Sequence, residues 1–312
     1  MTCDVSIIIV NWNTKEYLRN CLDSIYRAIS EINAEIIVVD NASEDGSVDM
    51  VESEFPYVIL IKNFENLGFA MANNIGMASS VGDYCCLINS DVIVERNCIK
   101  HLIKYLNANR NVGMVGPMIR NPDGSVQTSC YGYPTLWKMF CSAMGLHRIF
   151  PRSKLFSGRR IYWTHDAIRK VEVLSGCFWC VRREALESVG MLDEKFFMYS
   201  EDIDWCRRYR DAGWDVVFYP HAEAIHFGGV SSSNSPIRFY IEMQKADIQY
   251  WEKHHGNFMK YFYRSILYLF QINRIIGNSL LYVFYLNKKE EKLFKIRRST
   301  SCLRWLITGS YR

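Results

Sequence analysis

Short runs of β-branched and other apolar residues alternate with stretches of helical spacing through the first 116 residues of the chain. Residues 5–10, 35–40, 58–61, 84–89 and 112–115 are predicted strands, each a short apolar run bounded by polar or turn-forming residues. Residues 17–29 and 69–80 repeat their apolar positions every three or four residues and are predicted helices. This alternation predicts βαβ units, hence an α/β fold with a mostly parallel sheet flanked by helices. Ligands in such sheets bind beyond the carboxyl ends of the strands. Four predicted strands run into polar residues there: Asn11 and Asn13, Asp40 and Asn41, Asn63 to Gly68, and Asn89-Ser90-Asp91.

From Pro117 to about Lys170 the rhythm breaks into Asn-Pro-Asp-Gly turn chemistry and then a basic, aromatic stretch, the pattern of a long functional excursion. Regular structure is predicted again with an apolar strand over 171–181, a helix over 182–189, an acidic stretch, and the extended VVFYP. From Pro236 onward the pattern is helical. Residues 258–286 are rich in Tyr, Phe, Leu and Ile, but Lys260, Arg264 and Arg274 interrupt them, which disfavours a spanning helix. Two readings stand: an interfacial helix pair with basic residues toward lipid headgroups, or soluble helices packed on the sheet or on a partner subunit.

Charge sharpens this picture. The net charge of +4 hides a strong segregation: residues 147–170 carry +6, residues 253–312 carry +10, and the remainder −12. Two basic, aromatic-rich segments on an acidic body suit an anionic surface such as lipid headgroups, or two solvated faces. The eleven cysteines are odd in number and irregularly spaced, unlike a disulfide framework, so a reducing cytosol is the simpler expectation. Cys177 and Cys180 form a lone CxxC inside an apolar run; as part of a strand their sulfurs would face opposite ways, so they are expected to be buried structural thiols. The first apolar run, VSIIIV, is too short for a signal peptide and lacks a basic lead-in.

The glycine-rich phosphate loops GxGxxG and GxxxxGK[ST] do not occur, which removes the main support for a nicotinamide dehydrogenase or a P-loop kinase. What remains is a sheet whose strand ends carry carboxylates and amides. Asp40 can accept hydrogen bonds from a base or ribose, and Asn89-Ser90-Asp91 can hold a divalent metal through oxygen. Asp and Asn are also ordinary turn residues after strands. The stretch FFMYSEDIDWCRR places Glu201, Asp202 and Asp204 close behind an aromatic cluster. A helix starting near Ser200 would put Glu201 and Asp204 on one face and turn Asp202 about 100° away. Early-turn acids also complement the helix dipole, and Asp204 is placed to pair with Arg207 or Arg208. Phe196 reads as core, while Trp179 and Tyr199 read as core or as walls of a binding site.

In order along the chain, VSIIIVNWNTKEYLRNCLDSI, VVDNASEDGS, NLGFAMANNIGM, LINSD, LSGCFWCVRREALESVGMLDEKFFMYSEDIDWCRRYRDAGWDVVFYP and IHFGG resemble the family 2 glycosyltransferases, specifically their rhamnosyltransferase-like branch. The resemblance covers about residues 4–255. It implies a GT-A (Rossmann-like) fold, with a nucleotide-sugar-binding half over 1–116, an acceptor-binding half over 117–235 and a C-terminal helical, membrane-associating extension over 236–312. By the same resemblance Val10, Asn11 and Asn13 border the base and ribose, Asp40 bonds the base, and Asn66 and Gly68 lie beside the nucleotide. The family's DXD motif falls on Asn89, Ser90 and Asp91, with Asp91 as metal ligand and Asn89 in place of the first acid. His226 matches a histidine that reaches the same metal; His221 has no such match. Asp202 falls where the general base is expected, with Glu201 beside it.

Chemistry gives an independent reason for an acid at this position. Inverting sugar transfer needs an acceptor hydroxyl deprotonated as it attacks, and a positioned carboxylate contributes ~10²–10⁴-fold. A metal that neutralises the leaving diphosphate removes the need for a second acid. Glycoside hydrolysis instead needs two carboxyls about 5–5.5 or 6.5–9.5 Å apart across the bond, which adjacent Glu201 and Asp202 do not offer.

The expectation is therefore a cytoplasmic, peripheral inner-membrane glycosyltransferase. It would use Mg²⁺ or Mn²⁺ and a UDP-, dTDP- or GDP-linked sugar, rhamnose or another hexose. Its acceptor would be a glycan or lipid-linked saccharide, with residues 258–312 on an anionic membrane surface, a homo-oligomer possible, and nucleic acid not among its partners. A non-catalytic nucleotide-sugar-binding protein and a sugar nucleotidyltransferase are the alternatives.

Overall fold

The structure, a computed structural model, describes residues 3–150, 152–153, 155–156, 163–233, 235–284 and 289–310. Parts of the basic 147–170 and 253–312 segments lie outside the described residues, namely 151, 154, 157–162, 285–288 and 311–312. The chain forms two compact units, residues 1–133 with 160–231, and residues 134–159 with 232–312.

The first unit alternates strands and helices from its start: β1 (Val5–Asn11), α1 (Lys15–Ala28), β2 (Ala34–Asp40), α2 (Ser47–Glu54), β3 (Ile59–Lys62), α3 (Phe69–Ala78), β4 (Tyr84–Asn89), β5 (Val92–Val94), α4 (Cys98–Ala108), β6 (Val112–Arg120) and β7 (Cys130–Tyr131). The second unit inserts α5 (Leu136–Ala143) and α6 (Leu146–Ile149). The first then resumes with β8 (Arg169–Lys170), β9 (Val173–Leu174), β10 (Phe178–Arg182), α7 (Arg183–Val189), α8 (Glu201–Asp211) and β11 (Asp215–His226). A short turn, α9 (Val230–Ser233), leads to α10 (Pro236–Phe284) and α11 (Lys289–Thr308).

The main sheet has the order β3-β2-β1-β4-β10-β6-β11-β5, with β8 added on β11. The first four strands are parallel. Strand β10 runs antiparallel between β4 and β6, β11 is parallel to β6, and β5 and β8 are antiparallel to β11. Strand β1 is buried on both faces, as helix-covered parallel strands are. On one face Ile7, Ile9, Val38, Cys86 and Ile88 meet Leu18, Leu22 and Ile25 of α1 and Ile99, Leu102 and Leu106 of α4. Those helix positions recur every three or four residues, which is why α1 and α4 are amphipathic. On the other face α3 presses Gly76 against β1, where an added Cβ would stand 2.4 Å from Ile8 Cγ2.

Two expectations change. The apolar run over 171–181 is not one strand: β9 pairs with β7 in a separate two-stranded sheet, a turn at Gly176 and Cys177 follows, and β10 begins at Phe178. Cys177 thus lies in a turn, so the argument from strand alternation does not apply to it, yet both Cys177 and Cys180 are buried. All eleven cysteines are free thiols and ten are buried, as structural thiols should be. Strand β6 also runs through Pro117 to Arg120. Its ladder with β10 covers only Met114 and Val115, so the N–H missing at Pro117 falls beyond that ladder.

The second unit has its own core of Tyr240, Ile241, Ile248, Trp251, Tyr263, Leu267, Cys302 and Leu306, with Leu136 and Met139 of α5 packed on it. Gly256, at φ 80°, breaks α10, and Trp251 and Tyr263 stack across the break with ring centroids 5.6 Å apart. Among the described residues no helix is long and apolar enough to cross a membrane.

Gly76→Ala should lower stability although alanine gains ~1 kcal/mol as a helix former. Ile8 is β-branched and central in β1, so relieving the overlap costs ~1–3 kcal/mol. Urea denaturation should show a lower midpoint; an unchanged or higher midpoint would refute the close contact.

Candidate active site

The carboxyl ends of β1, β2 and β4 meet because the ladders are in register. Asn11 lies opposite Asp40, and Val10 opposite Asn89. Asn11 Nδ2 donates to Asp40 Oδ1 at 2.9 Å and to Ser43 Oγ at 3.0 Å. The other oxygen, Asp40 Oδ2, accepts from Ser43 N at 2.8 Å. Asp40 is 2% exposed and, among the described residues, has no cationic partner. A carboxylate offers about four acceptor sites, so two remain for a ligand's donors. Asn13, held at φ 52°, accepts from Glu44 N through Oδ1 and donates its own N–H to Ser43 Oγ. Thr14 precedes α1 but does not cap it. Its hydroxyl donates to Asn11 Oδ1 at 2.7 Å and meets Ser90 Oγ at 2.8 Å, joining the β1 and β4 ends. Lys15 N, at the start of α1, donates to Asp45 Oδ2 instead.

A second amide network continues the edge. Asn63 Nδ2 donates to Asn41 Oδ1 at 2.8 Å, Asn41 Nδ2 to Gly68 O at 3.1 Å, and Gly68 N to Asn66 Oδ1 at 3.0 Å. Gly68 has φ +85°, and a Cβ there would stand 2.3 Å from Phe197 O, the same carbonyl that accepts from Phe69 N at 2.6 Å. The start of α3 is thus fastened to the segment that leads into Glu201. Asn74 fastens it again, with Nδ2 donating to Leu192 O and Glu194 Oε1 while Oδ1 accepts from Leu192 N.

Asn89-Ser90-Asp91 falls at the turn between β4 and β5. Asp91 Oδ2 accepts from Gly228 N at 3.0 Å, and Asp91 Oδ1 faces His226 Nε2 at 3.3 Å. The antiparallel ladder makes this meeting, since His226 pairs with Val92. Gln127 fixes the ring: its Nε2 donates to Asn121 Oδ1 at 2.8 Å and His226 O at 3.1 Å, leaving Oε1 to accept from His226 Nδ1 at 2.7 Å. With Nδ1 so engaged, Nε2 and the Asp91 carboxylate are left facing each other, a pair that could hold one cation together. Asn89 Oδ1 is buried at this edge without a hydrogen-bond partner. An oxygen-rich turn with one imidazole fits a hard or borderline divalent cation, and no third His, Cys, Asp or Glu joins a metal-binding group among the described residues.

The three acids of α8 separate by environment. Asp204 is fully buried and pairs with Arg208 Nε at 2.9 Å, and Arg208 also donates to Val189 O, Gly190 O and Met191 O. Glu201 is 6% exposed, and its Oε2 has no hydrogen-bond partner. Burial, then the Asp202 charge and more weakly that of Asp204, pushes its carboxyl well above the ordinary carboxylate range, against a hydrogen bond from its own backbone. Asp202 is half-buried, with Oδ1 accepting from Ile203 N at 2.8 Å. The chain enters α8 through Tyr199 and Ser200 at φ 72° and 61°, two left-handed non-glycine residues of the kind that concentrate at functional sites. Trp179 and Phe196 are buried in the core, while Phe197 and Tyr199 are half-buried.

Asn11, Asn13, Asp40, Asn66, Gly68 and Ser90 therefore belong to linked hydrogen-bond networks on one sheet edge, with half-buried Val10 alongside, and Asn89 and Asp91 flank Ser90 in the chain, Asp91 facing His226. The turn at Gly176 and Cys177 lies between this edge and α8: Cys177 O accepts from Asn89 N at 3.0 Å, and Glu201 Oε1 lies 3.7 Å from a Cβ placed on Gly176. His221 is elsewhere, exposed, its carbonyl against His101 Nδ1. Sequence reasoning passed over Gln127, Thr14 and Ser43. The last two flank strand ends and were open to inspection there, but Gln127 reaches His226 only because the 121–125 turn folds it back beside β6.

The family model for glycosyl transferase family 2 matches residues 6–190. An N-acetylglucosaminyl-diphospho-decaprenol L-rhamnosyltransferase of Mycobacterium tuberculosis is 30% identical over 271 residues, 83% of this chain and 88% of that protein. The dTDP-rhamnosyl transferase RfbF of Shigella flexneri is 26% identical over 258 residues, 79% of each chain. The fold matches the mannosyltransferase PcManGT of Pyrobaculum calidifontis, solved with GDP-Man and Mn²⁺, at a TM-score of 0.56 and 16% identity over 98% of this chain and 88% of that one. The chain belongs to glycosyl transferase family 2 and is a glycosyltransferase of GT-A fold.

The raised Glu201 carboxyl has a stability consequence. Folded protein keeps a proton that the unfolded chain releases above its ordinary value of 4.5, so this contribution is full below that pH and is lost as pH rises through the folded value. Within that window the loss is up to ~1.4 kcal/mol per pH unit. Glu201→Gln keeps the neutral form, so its urea midpoint should fall less than wild type between pH 5 and pH 8. Parallel profiles for the two proteins would contradict the buried, protonated assignment.

Proposed function

We propose that this protein transfers a sugar, with inversion, from a nucleoside diphosphate to a hydroxyl of a lipid-linked saccharide. The observation that carries the reading is the Asp91–His226 pair on the sheet edge that also holds the Asn11–Asp40 pair, Thr14 joining the two through Ser90. In this reading Asp40 takes the base through its two free acceptor sites, and Val10, Asn11 and Asn13 border the nucleoside. Asn66 and Gly68 lie beside it at the start of α3. Asp91 and His226 would hold Mg²⁺ or Mn²⁺, which when bound offsets charge on the departing diphosphate. A Mn²⁺ and GDP-mannose complex of a protein with the same fold supports that choice.

Asp202 is the base, since of the three acids it is the one that stays half-buried and reachable, while Glu201 and Asp204 are buried. The acceptor oxygen forms its bond to the anomeric carbon as its proton passes to an Asp202 carboxylate oxygen. The carbon–oxygen bond to the diphosphate breaks, and the nucleoside diphosphate leaves with that electron pair. Glu201, neutral, donates or shapes the pocket without adding a second charge. Residues 1–116 serve the donor and 117–235 the acceptor, with His226 of the second half reaching the donor's diphosphate side. Rhamnose and a diphosphate-lipid acceptor are the favoured substrates, on the strength of two similar rhamnosyltransferases, one of them named for a decaprenol-linked acceptor. Residues 253–312, with net charge +10, and the exposed Phe258, Leu269, Leu280 and Ile307 suit an anionic membrane surface on which such an acceptor resides.

Asp202→Asn should reduce transfer ~10²–10⁴-fold while leaving nucleoside diphosphate binding intact. Undiminished turnover would remove Asp202 from the base role. Gln127→Leu frees the His226 ring and should weaken Mn²⁺ binding ~10–100-fold, as read by electron paramagnetic resonance titration. Equal Mn²⁺ affinity in the two proteins would break the link between Gln127 and the cation.

A further inference from the structure

Several basic residues near the C-terminus are engaged inside their own unit. Arg274 and Arg298 lie over the Tyr240 ring, Arg264 donates to Leu306 O, Lys260 pairs with Glu252, and Lys295 with Glu291. The inserted segment of that unit stands out by composition. Residues 136–160 contain six Lys and Arg, no acid, and a dense set of aromatic and aliphatic residues. Helix α5 turns Leu136 and Met139 to the unit's core and leaves Trp137, Phe140 and Met144, at i, i+3 and i+7, exposed. Trp137 is 46% exposed, Ile149 67% and Leu155 57%.

These side chains form one surface. Trp137 stacks on Phe140 with centroids 5.6 Å apart and lies 6.1 Å from Phe156, which is 5.5 Å from Phe150. The Trp137 indole N–H is satisfied by Leu155 O at 2.8 Å, which holds the ring beside Leu155. A contiguous exposed aromatic patch on an acid-free, basic segment has the composition of an interfacial anchor: rings at the headgroup level, cations toward lipid phosphates.

We infer that the α5–α6 segment, residues 136–156, inserts its Trp137, Phe140 and Phe150 patch into the interface of an anionic bilayer. This makes it the aromatic anchor of the protein, with the C-terminal helices as its scaffold. The inference rests on the membrane reading above but not on the catalytic one.

The test is flotation of the full-length protein with phosphatidylcholine vesicles, with or without a quarter phosphatidylglycerol, and with brominated lipid for tryptophan quenching. Wild type should float only with the anionic vesicles. Trp137→Ser/Phe150→Ser should weaken partitioning about tenfold or more while nucleoside diphosphate binding confirms its fold. Trp137→Phe, which keeps the hydrophobic contact, should still float but lose part of the quenching. If wild type does not float, the membrane reading and the inference both fall. If wild type floats and the double variant floats equally, or quenching in Trp137→Phe equals wild type, only the inference falls. It also falls if light scattering shows a dimer that the double variant dissociates, because a second copy would then cover the patch.

Discussion

The hydrogen bond from Asn11 Nδ2 to Asp40 Oδ1 is the constraint on which the polar edge of the sheet depends. Parallel pairing in register brings two apolar strands to their ends side by side, and at that point a buried carboxylate must be satisfied. Asn11 supplies one donor and the Ser43 backbone another, while the Ser43 hydroxyl in turn accepts from Asn11 and Asn13. Thr14 gives up capping α1 to carry the same network across to Ser90, next to Asp91. One pair thus sets both loops that would receive a nucleoside and positions them against the turn that would receive a diphosphate.

The parts legible in the sequence were those set by local pattern. Strand ends announce themselves where β-branched runs stop at Asn or Asp, and β1, β2 and β4 do end at Asn11, Asp40 and Asn89. The predicted helix over 69–80 also differs from Phe69–Ala78 only at its end. What failed was set by distant contacts. An eleven-residue apolar run does not reveal that Gly176 packs under Trp179, at 3.1 Å from a Cβ placed there, and turns the chain between β9 and β10. Pro117 reads as a break in the sequence, yet it is carried in β6 beyond the β10 ladder and paired with Tyr219 of β11.

The acidic stretch shows the same division. Spacing alone assigned Asp204 to an arginine, and the Arg208 pair agrees. Burial, with the Asp202 charge beside it, raises the Glu201 carboxyl. Burial follows from the left-handed entry at Tyr199 and Ser200 and from the docking of Phe197 on Gly68, neither of which a local pattern encodes. That docking also ties the segment leading to the acids to the start of α3, so the donor edge and the acidic helix share one scaffold within the first unit.

The most direct measurement is product analysis after incubation with dTDP-, UDP- and GDP-sugars, a diphosphate-linked lipid saccharide and Mn²⁺. The account predicts release of a nucleoside diphosphate from one donor, dependent on acceptor and suppressed by a chelator, with a product of inverted anomeric configuration. A product of retained configuration, release of a nucleoside monophosphate or pyrophosphate, or turnover unchanged by chelation would contradict it.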